Sequence, residues 1–211
     1  MDIVKIQLGR AVWLFDTQEL NPRGVSIYPD LIIGFCKRYQ FATVPQLDEI
    51  QPGKSMYFKQ GQFCHESTTI NVDLELHGDG FVAETRHSTE AASSFLQDFM
   101  DWCQSTIGVV SSPRIVTKRI YRSELIVSLN ANRDTLNEKF AQFAALVSEV
   151  TNAPSLVSGI QFGSQESPAA FLVERRVGSN ILLKDNYYIS NAWISTYQHI
   201  ELLRRFEELM A

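Results

Sequence analysis

Only 3 cysteines occur among the 211 residues, Cys36, Cys64 and Cys103, and no two of them form a CxxC pair. An odd, widely spaced set excludes a disulfide framework or a cysteine-built zinc site and reads as mostly buried thiols in a reducing compartment. Long apolar runs are also missing, since none approaches the ~18 residues that a membrane-spanning helix needs. The opening stretch MDIVKIQLGRAVWLFD breaks its apolar residues with Lys5, Gln7 and Arg10, unlike a signal peptide. A cytoplasmic location with no membrane partner is therefore expected. Basic residues are in the minority, 19 Lys and Arg against 24 Asp and Glu, for a net charge of -5 and a pI near 5.4. That balance excludes a global attraction to nucleic acid or to an anionic membrane. Catalytic signatures are absent as well. The histidines His65, His77, His87 and His199 show no HExxH spacing, and the chain has no GxSxG, no Walker loop and no GxGxxG. No catalytic residue and no cofactor is expected.

What is present is an ordinary folding composition, with 45% hydrophobic and 20% charged residues. Residues 3 to 15 alternate and then turn apolar, predicting one or two strands broken near Gly9. NPRG at 21 to 24 is a turn signal, and PDLIIGFCKRYQF predicts a short helix with Ile32, Phe35, Cys36 and Tyr39 on one face. Residues 42 to 62, with Pro45, Pro52, Gly53 and Gly61, predict an irregular connection. The clearest signal is the alternation Ile70, Val72, Leu74, Leu76 before the turn at Gly78 and Asp79. A two-residue loop there sets Leu76 opposite Phe81, Leu74 opposite Ala83 and Val72 opposite Thr85.

A helix follows, capped by Ser88 or Thr89, carrying Ala92, Phe95, Phe99, Trp102 and Cys103 on one face and ending near Gly108. A strand is predicted from Ile115 to Leu129, then a helix capped by Asn132 or Asp134 whose buried stripe is Leu136, Phe140, Phe143, Val147 and Val150. Strands are expected at 160 to 162, 169 to 174 and 187 to 193. The last helix begins with Ser195 and Gln198 as a capping box and carries Glu201–Arg205 and Arg204–Glu208 pairs. Its entry echoes the earlier one: Ser88 and Thr89 align without a gap on Ser195 and Thr196, Phe95 and Leu96 on Leu202 and Leu203, and Phe99 on Phe206. The expected fold class is α+β, a mainly antiparallel sheet with about three amphipathic helices packed on it, as a single domain over 1 to 211 with possible sub-units 1 to 110 and 111 to 211.

Four constellations bear on chemistry. On the polar face of the first hairpin, Asp73 opposes Glu84, with Glu75 and His77 beside them. A hard cation on Asp73, Glu75 and Glu84 would relieve that repulsion, and Arg86 would do so without one. Lys118, Arg119 and Arg122, with Tyr121 between, could hold an anion or nucleic acid, but alternation splits them over two faces, as in an edge strand guarded by cations. Cys64 and His65 point to opposite faces of a strand and cannot pair as nucleophile and base. The aromatic strand Tyr187 to Trp193 sets Tyr187, Ile189, Asn191 and Trp193 on one face and Tyr188, Ser190, Ala192 and Ile194 on the other. Tyrosine and tryptophan suit a protein contact, so the expected function is an accessory or assembly protein binding a partner, or its own copy as a homo-oligomer, through Tyr187, Tyr188 and Trp193. The alternatives are a small-ligand binder or enzyme with a pocket lined by Phe81, Phe171, Tyr188 and Trp193, and nucleic-acid binding through 114 to 122.

Overall fold

The computed structural model describes residues 1–20, 28–45, 54–108, 115–129, 138–153, 157–163, 171–176 and 187–210. Among the described residues eight strands and four α-helices make an α+β fold with a mainly antiparallel sheet. They follow one another as β1 (Asp2–Leu14), α1 (Tyr28–Tyr39), β2 (Met56–His65), β3 (Thr68–His77), β4 (Gly80–Thr85), α2 (Thr89–Ile107), then β5 (Lys118–Ser128), α3 (Glu138–Thr151), β6 (Gly159–Phe162), β7 (Phe171–Arg175), β8 (Tyr187–Ala192) and α4 (Thr196–Met210). The order βαβββα thus occurs twice. The strands bond in the order β2-β3-β4-β1-β5-β8-β7-β6, which reads the same from either end once β1 is exchanged with β5, β2 with β6, β3 with β7 and β4 with β8.

The chain forms two compact units. The N-terminal unit holds Gln7–Ser123 with Ile194–Thr196, and the C-terminal unit holds Met1–Ile6, Glu124–Trp193 and Tyr197–Ala211.

In the N-terminal unit the hairpin forms in the predicted register, Leu76 opposite Phe81, Leu74 opposite Ala83 and Val72 opposite Thr85. Strict alternation left one face to bury, and a slip of one residue would have exposed every leucine. β1 is a single unbroken strand. Gly9 does not interrupt it: a Cβ there would come within 2.4 Å of the Ser88 carbonyl carbon, so glycine is required by the close passage of the start of α2. β2 occupies what was expected to be irregular, because a bulge between Phe58 and Gly61 shifts the alternation in mid-strand. The core is aromatic: Phe35 of α1 meets Phe58 edge-on at 4.6 Å and Phe99 at 5.5 Å, and Ile32 and Tyr39 are buried on the same helical face. Ser88 caps α2 by accepting from Ala91 N, and Gly108 closes it in the left-handed region.

At the start of the same helix, Thr89 N donates to Thr196 Oγ1 (3.0 Å) and Thr196 N donates to Thr89 Oγ1 (2.7 Å). Each threonine satisfies an orphan N–H that the other's helix start leaves open. The two residues are those that align in the repeated Ser-Thr entry.

In the C-terminal unit, Leu125, Val127, Leu129, Val173, Tyr188 and Leu203 form the buried cluster among the described residues. α3 departs from expectation. Phe143 is 66% and Val150 83% exposed, and no described side chain of that helix is buried. Periodicity marks an apolar stripe on this helix, but none of its described side chains is buried by another described element. The sequence positions Asn132, Asp134 and Leu136 and the NPRG turn lie outside the described residues. In α4, Arg204 pairs with Glu201 at 2.6 Å, one turn back, rather than with Glu208.

Candidate functional site

The alternation of β8 sorts the aromatic strand. Tyr188, Ser190 and Ala192 are buried, whereas Tyr187 is 39% and Trp193 45% exposed. Tyr188 therefore belongs to the core cluster with Val173 and Leu203 and is removed from the binding face. Its ring is needed inside because α4 covers that side of the strand. The remaining pair, Tyr187 and Trp193, shares its unit with Tyr197, 69% exposed in the first turn of α4, and with Leu202 and Leu209 on that helix.

Beneath β8 lies a buried polar pair. Ser190 Oγ donates to Leu172 O at 2.7 Å and lies 2.8 Å from His199 Nε2. Since the hydroxyl proton is committed to Leu172, His199 donates from Nε2, and its Nδ1 is left as a buried acceptor with no partner among the described residues. Phe171 stands edge-on to the imidazole at 5.7 Å. Burial without a counter-charge holds the His199 pKa down to about 4. Ser190 and His199 are both fully buried among the described residues, a neutral imidazole beside a serine whose proton points at a backbone carbonyl.

The N-terminal unit contains an open cavity of about 390 Å³ lined by Arg38, Tyr39, Gln40, Gln62, Phe63, Cys64, Thr69 and Asp98. Arg38 grips Asp98 through Nη2 at 2.9 Å, and Tyr39 donates to the same carboxylate at 2.6 Å. Burial, followed by the hydrogen bond to Asp98, raises the Tyr39 hydroxyl far above its ordinary pKa. These side chains escaped sequence reading because Arg38 and Asp98 are 60 positions apart and sit on different helices. A helix-terminal KRY was the one local hint. Against the expectation of mostly buried thiols Cys64 is exposed, while Cys103 is buried and its thiol is pushed up to about 12 by desolvation. His65 stacks on Phe63 instead of approaching Cys64.

On the hairpin face Asp73 does oppose Glu84, but each acid has its own protein partner. Arg10 of β1, not Arg86, forms an ion pair with Glu84. Asp73 accepts from Gln60 N at 2.7 Å, and Glu75 meets His77 Nε2 at 3.1 Å. Among the described residues no three ligating side chains converge to hold a metal ion. The basic run lies on β5, which is central in the sheet between β1 and β8 and not an edge. Arg119 stacks on the Trp13 ring at 4.5 Å, on the opposite strand face from Lys118 and Arg122. Phe81 packs in the N-terminal core and Phe171 and Tyr188 in the C-terminal one.

The class that this architecture defines is an α+β protein built from two βαβββα runs. The chain matches no protein-family model, no curated protein and no solved structure. Among the described residues no helix is long and apolar enough to cross a membrane.

Proposed function

We propose that the protein is a cytoplasmic accessory or assembly protein that works by binding another protein, or a second copy of itself, through β8 and α4 of the C-terminal unit. The observation that carries this reading is the separation of rings along β8 and the residue that follows it: Tyr188 is turned into the core while Tyr187 and Trp193 are 39% and 45% exposed. Large rings on a rigid strand lose little conformational freedom on binding and bury much area, which is why such residues dominate protein contacts. Phe143, Leu146 and Val150 of α3 add apolar surface in the same unit, and an excess of this kind on one unit is what a contact surface needs. The recurrence of βαβββα also supports reading residues 1 to 211 as one α+β domain made of two related sub-units.

Light scattering coupled to size exclusion, run over a hundredfold dilution with and without chemical crosslinking, tests the reading. Self-association, or a crosslinked complex with one defined protein, is expected, and Trp193→Ala should weaken it about tenfold or more, as for a contact hot spot. A complex indifferent to both Trp193→Ala and Tyr187→Ala would sink the assignment of this face.

A further inference from the structure

We infer that the outer edge of β2 at Gln62–Cys64 is a strand-addition site for an extended, uncharged peptide segment of a partner protein. β2 ends the sheet, and it joins β3 through a two-residue turn, Glu66 and Ser67, with φ of 47° and 68°. In such a hairpin the flanking pair, His65 and Thr68, exchanges both backbone bonds, and the pattern then alternates. His65, Phe63 and Gly61 therefore turn their N–H and C=O toward β3, and Cys64 and Gln62 turn theirs away from the sheet. Those four outward groups have no hydrogen-bond partner among the described residues.

The chain itself demonstrates the binding mode on this edge. Just upstream, Lys59 N donates to Thr43 O at 3.0 Å and Thr43 N returns to Lys59 O at 3.2 Å, a one-pair antiparallel addition. It stops there. Continued antiparallel pairing would bring the residues before Thr43 opposite Gln62 and Cys64, but the chain turns away through Gln40, φ 51°, into the end of α1. The open cavity of about 390 Å³ is lined both by Arg38, Tyr39 and Gln40, where the chain leaves this edge, and by Gln62, Phe63 and Cys64 of the edge itself.

The lining selects the occupant. Arg38 and Asp98 neutralise each other at 2.9 Å, so neither sign of charge is called for. Gln40, Gln62 and Thr69 offer uncharged polar groups that suit a peptide backbone, and Phe63 offers a ring to an apolar or β-branched side chain. A second copy fits badly, because its β2 would arrive carrying its own Ala42–Thr43 addition and its own α1 end to the same narrow edge.

A phage-displayed random heptapeptide library panned on the full chain is the probe. The selected peptides should be extended and uncharged, should slow amide exchange at Gln62 and Cys64, and should shield the Cys64 thiol from maleimide. Gln62→Pro removes an outward N–H without touching the ladder to β3, so it should keep the wild-type melting temperature and lose about tenfold or more in affinity. Trp193→Ala should leave this binding unchanged, which separates it from the C-terminal face. Should Gln62→Pro misfold, exchange and thiol protection in the wild-type chain decide. An empty selection, peptides that leave both amides and the thiol unprotected, or a folded Gln62→Pro that binds as before would overturn the inference, as would protection of these amides by dimerisation of the chain without peptide.

Discussion

The two units run through the same succession of elements and pack them differently. α1 buries Ile32, Phe35 and Tyr39 against β2 and α2, whereas α3, its counterpart, exposes Phe143, Leu146 and Val150. At the aligned helix entries, Leu96 and Leu203 are both fully buried, but Phe95 is fully buried where its match Leu202 is 45% exposed. Topology and stability are therefore set by different things. The strand order is shared by both runs, element for element. Core volume follows from the rings, and these are concentrated in the N-terminal unit, where Phe35 touches Phe41, Phe58, Phe99 and Trp102.

The largest test of that contrast is truncation of one large ring on each of the matching helices α1 and α3. Phe35→Ala should destabilise by about 3–5 kcal/mol, the range for a large ring removed from a packed core, while Phe143→Ala should change stability by about 0.5 kcal/mol or less, as on a surface. Urea unfolding monitored by circular dichroism measures both. Similar losses at the two sites would mean that α3 is covered by something that its exposure does not reveal.

Next in size is acid. His199 has a pKa near 4 in the folded chain against 6.5 for the free side chain, so below pH 6.5 the unfolded state binds the proton that the folded state refuses. Stability from this residue is complete above pH 6.5 and falls as pH drops toward 4, by up to about 3 kcal/mol. The loss should appear first in exchange of the β7, β8 and α4 amides, and His199→Gln should flatten the difference between pH 6.5 and 4.5. An unaltered slope in the variant would remove His199 as its source.

The smallest effect sharpens the symmetry. Thr89→Val and Thr196→Val each delete an acceptor that caps the other's N–H, and each should destabilise by about 1–2 kcal/mol. Since each residue is both donor and acceptor of the other, the two changes should be coupled and the double variant should depart from the sum. Strict additivity would show that the exchange is incidental.

Much of this architecture was legible in the sequence where local chemistry was strong. The Gly78–Asp79 hairpin could be registered residue by residue because four leucine-type positions alternated without fault, and Ser88 and Gly108 marked both ends of α2. β2 was hidden because its bulge shifts the period at Phe58 and Gly61, so no simple alternation spans the strand. The exposure of Phe143 was hidden for another reason: periodicity tells which side of a helix is apolar, not whether anything lies against it. At the candidate site, alternation separated Tyr188 from Tyr187 and Trp193 but gave no sign of which side the helices take. The contacts of Arg10 with Glu84 and of Arg38 with Asp98 are long-range, and charge pairs that distant in the chain leave no pattern to read.

Gly9, which interrupts nothing, closes one route of sequence drift. The atoms that a side chain would strike are backbone, with the Ser88 carbonyl carbon at 2.4 Å and Thr89 N at 2.6 Å, and backbone cannot swing aside as a rotamer can. Gly78, with open space around it, tolerates replacement. In a saturation library the first position should return glycine almost alone, and a variant that escaped would have to do so by shifting the start of α2, carrying Thr89 away from Thr196.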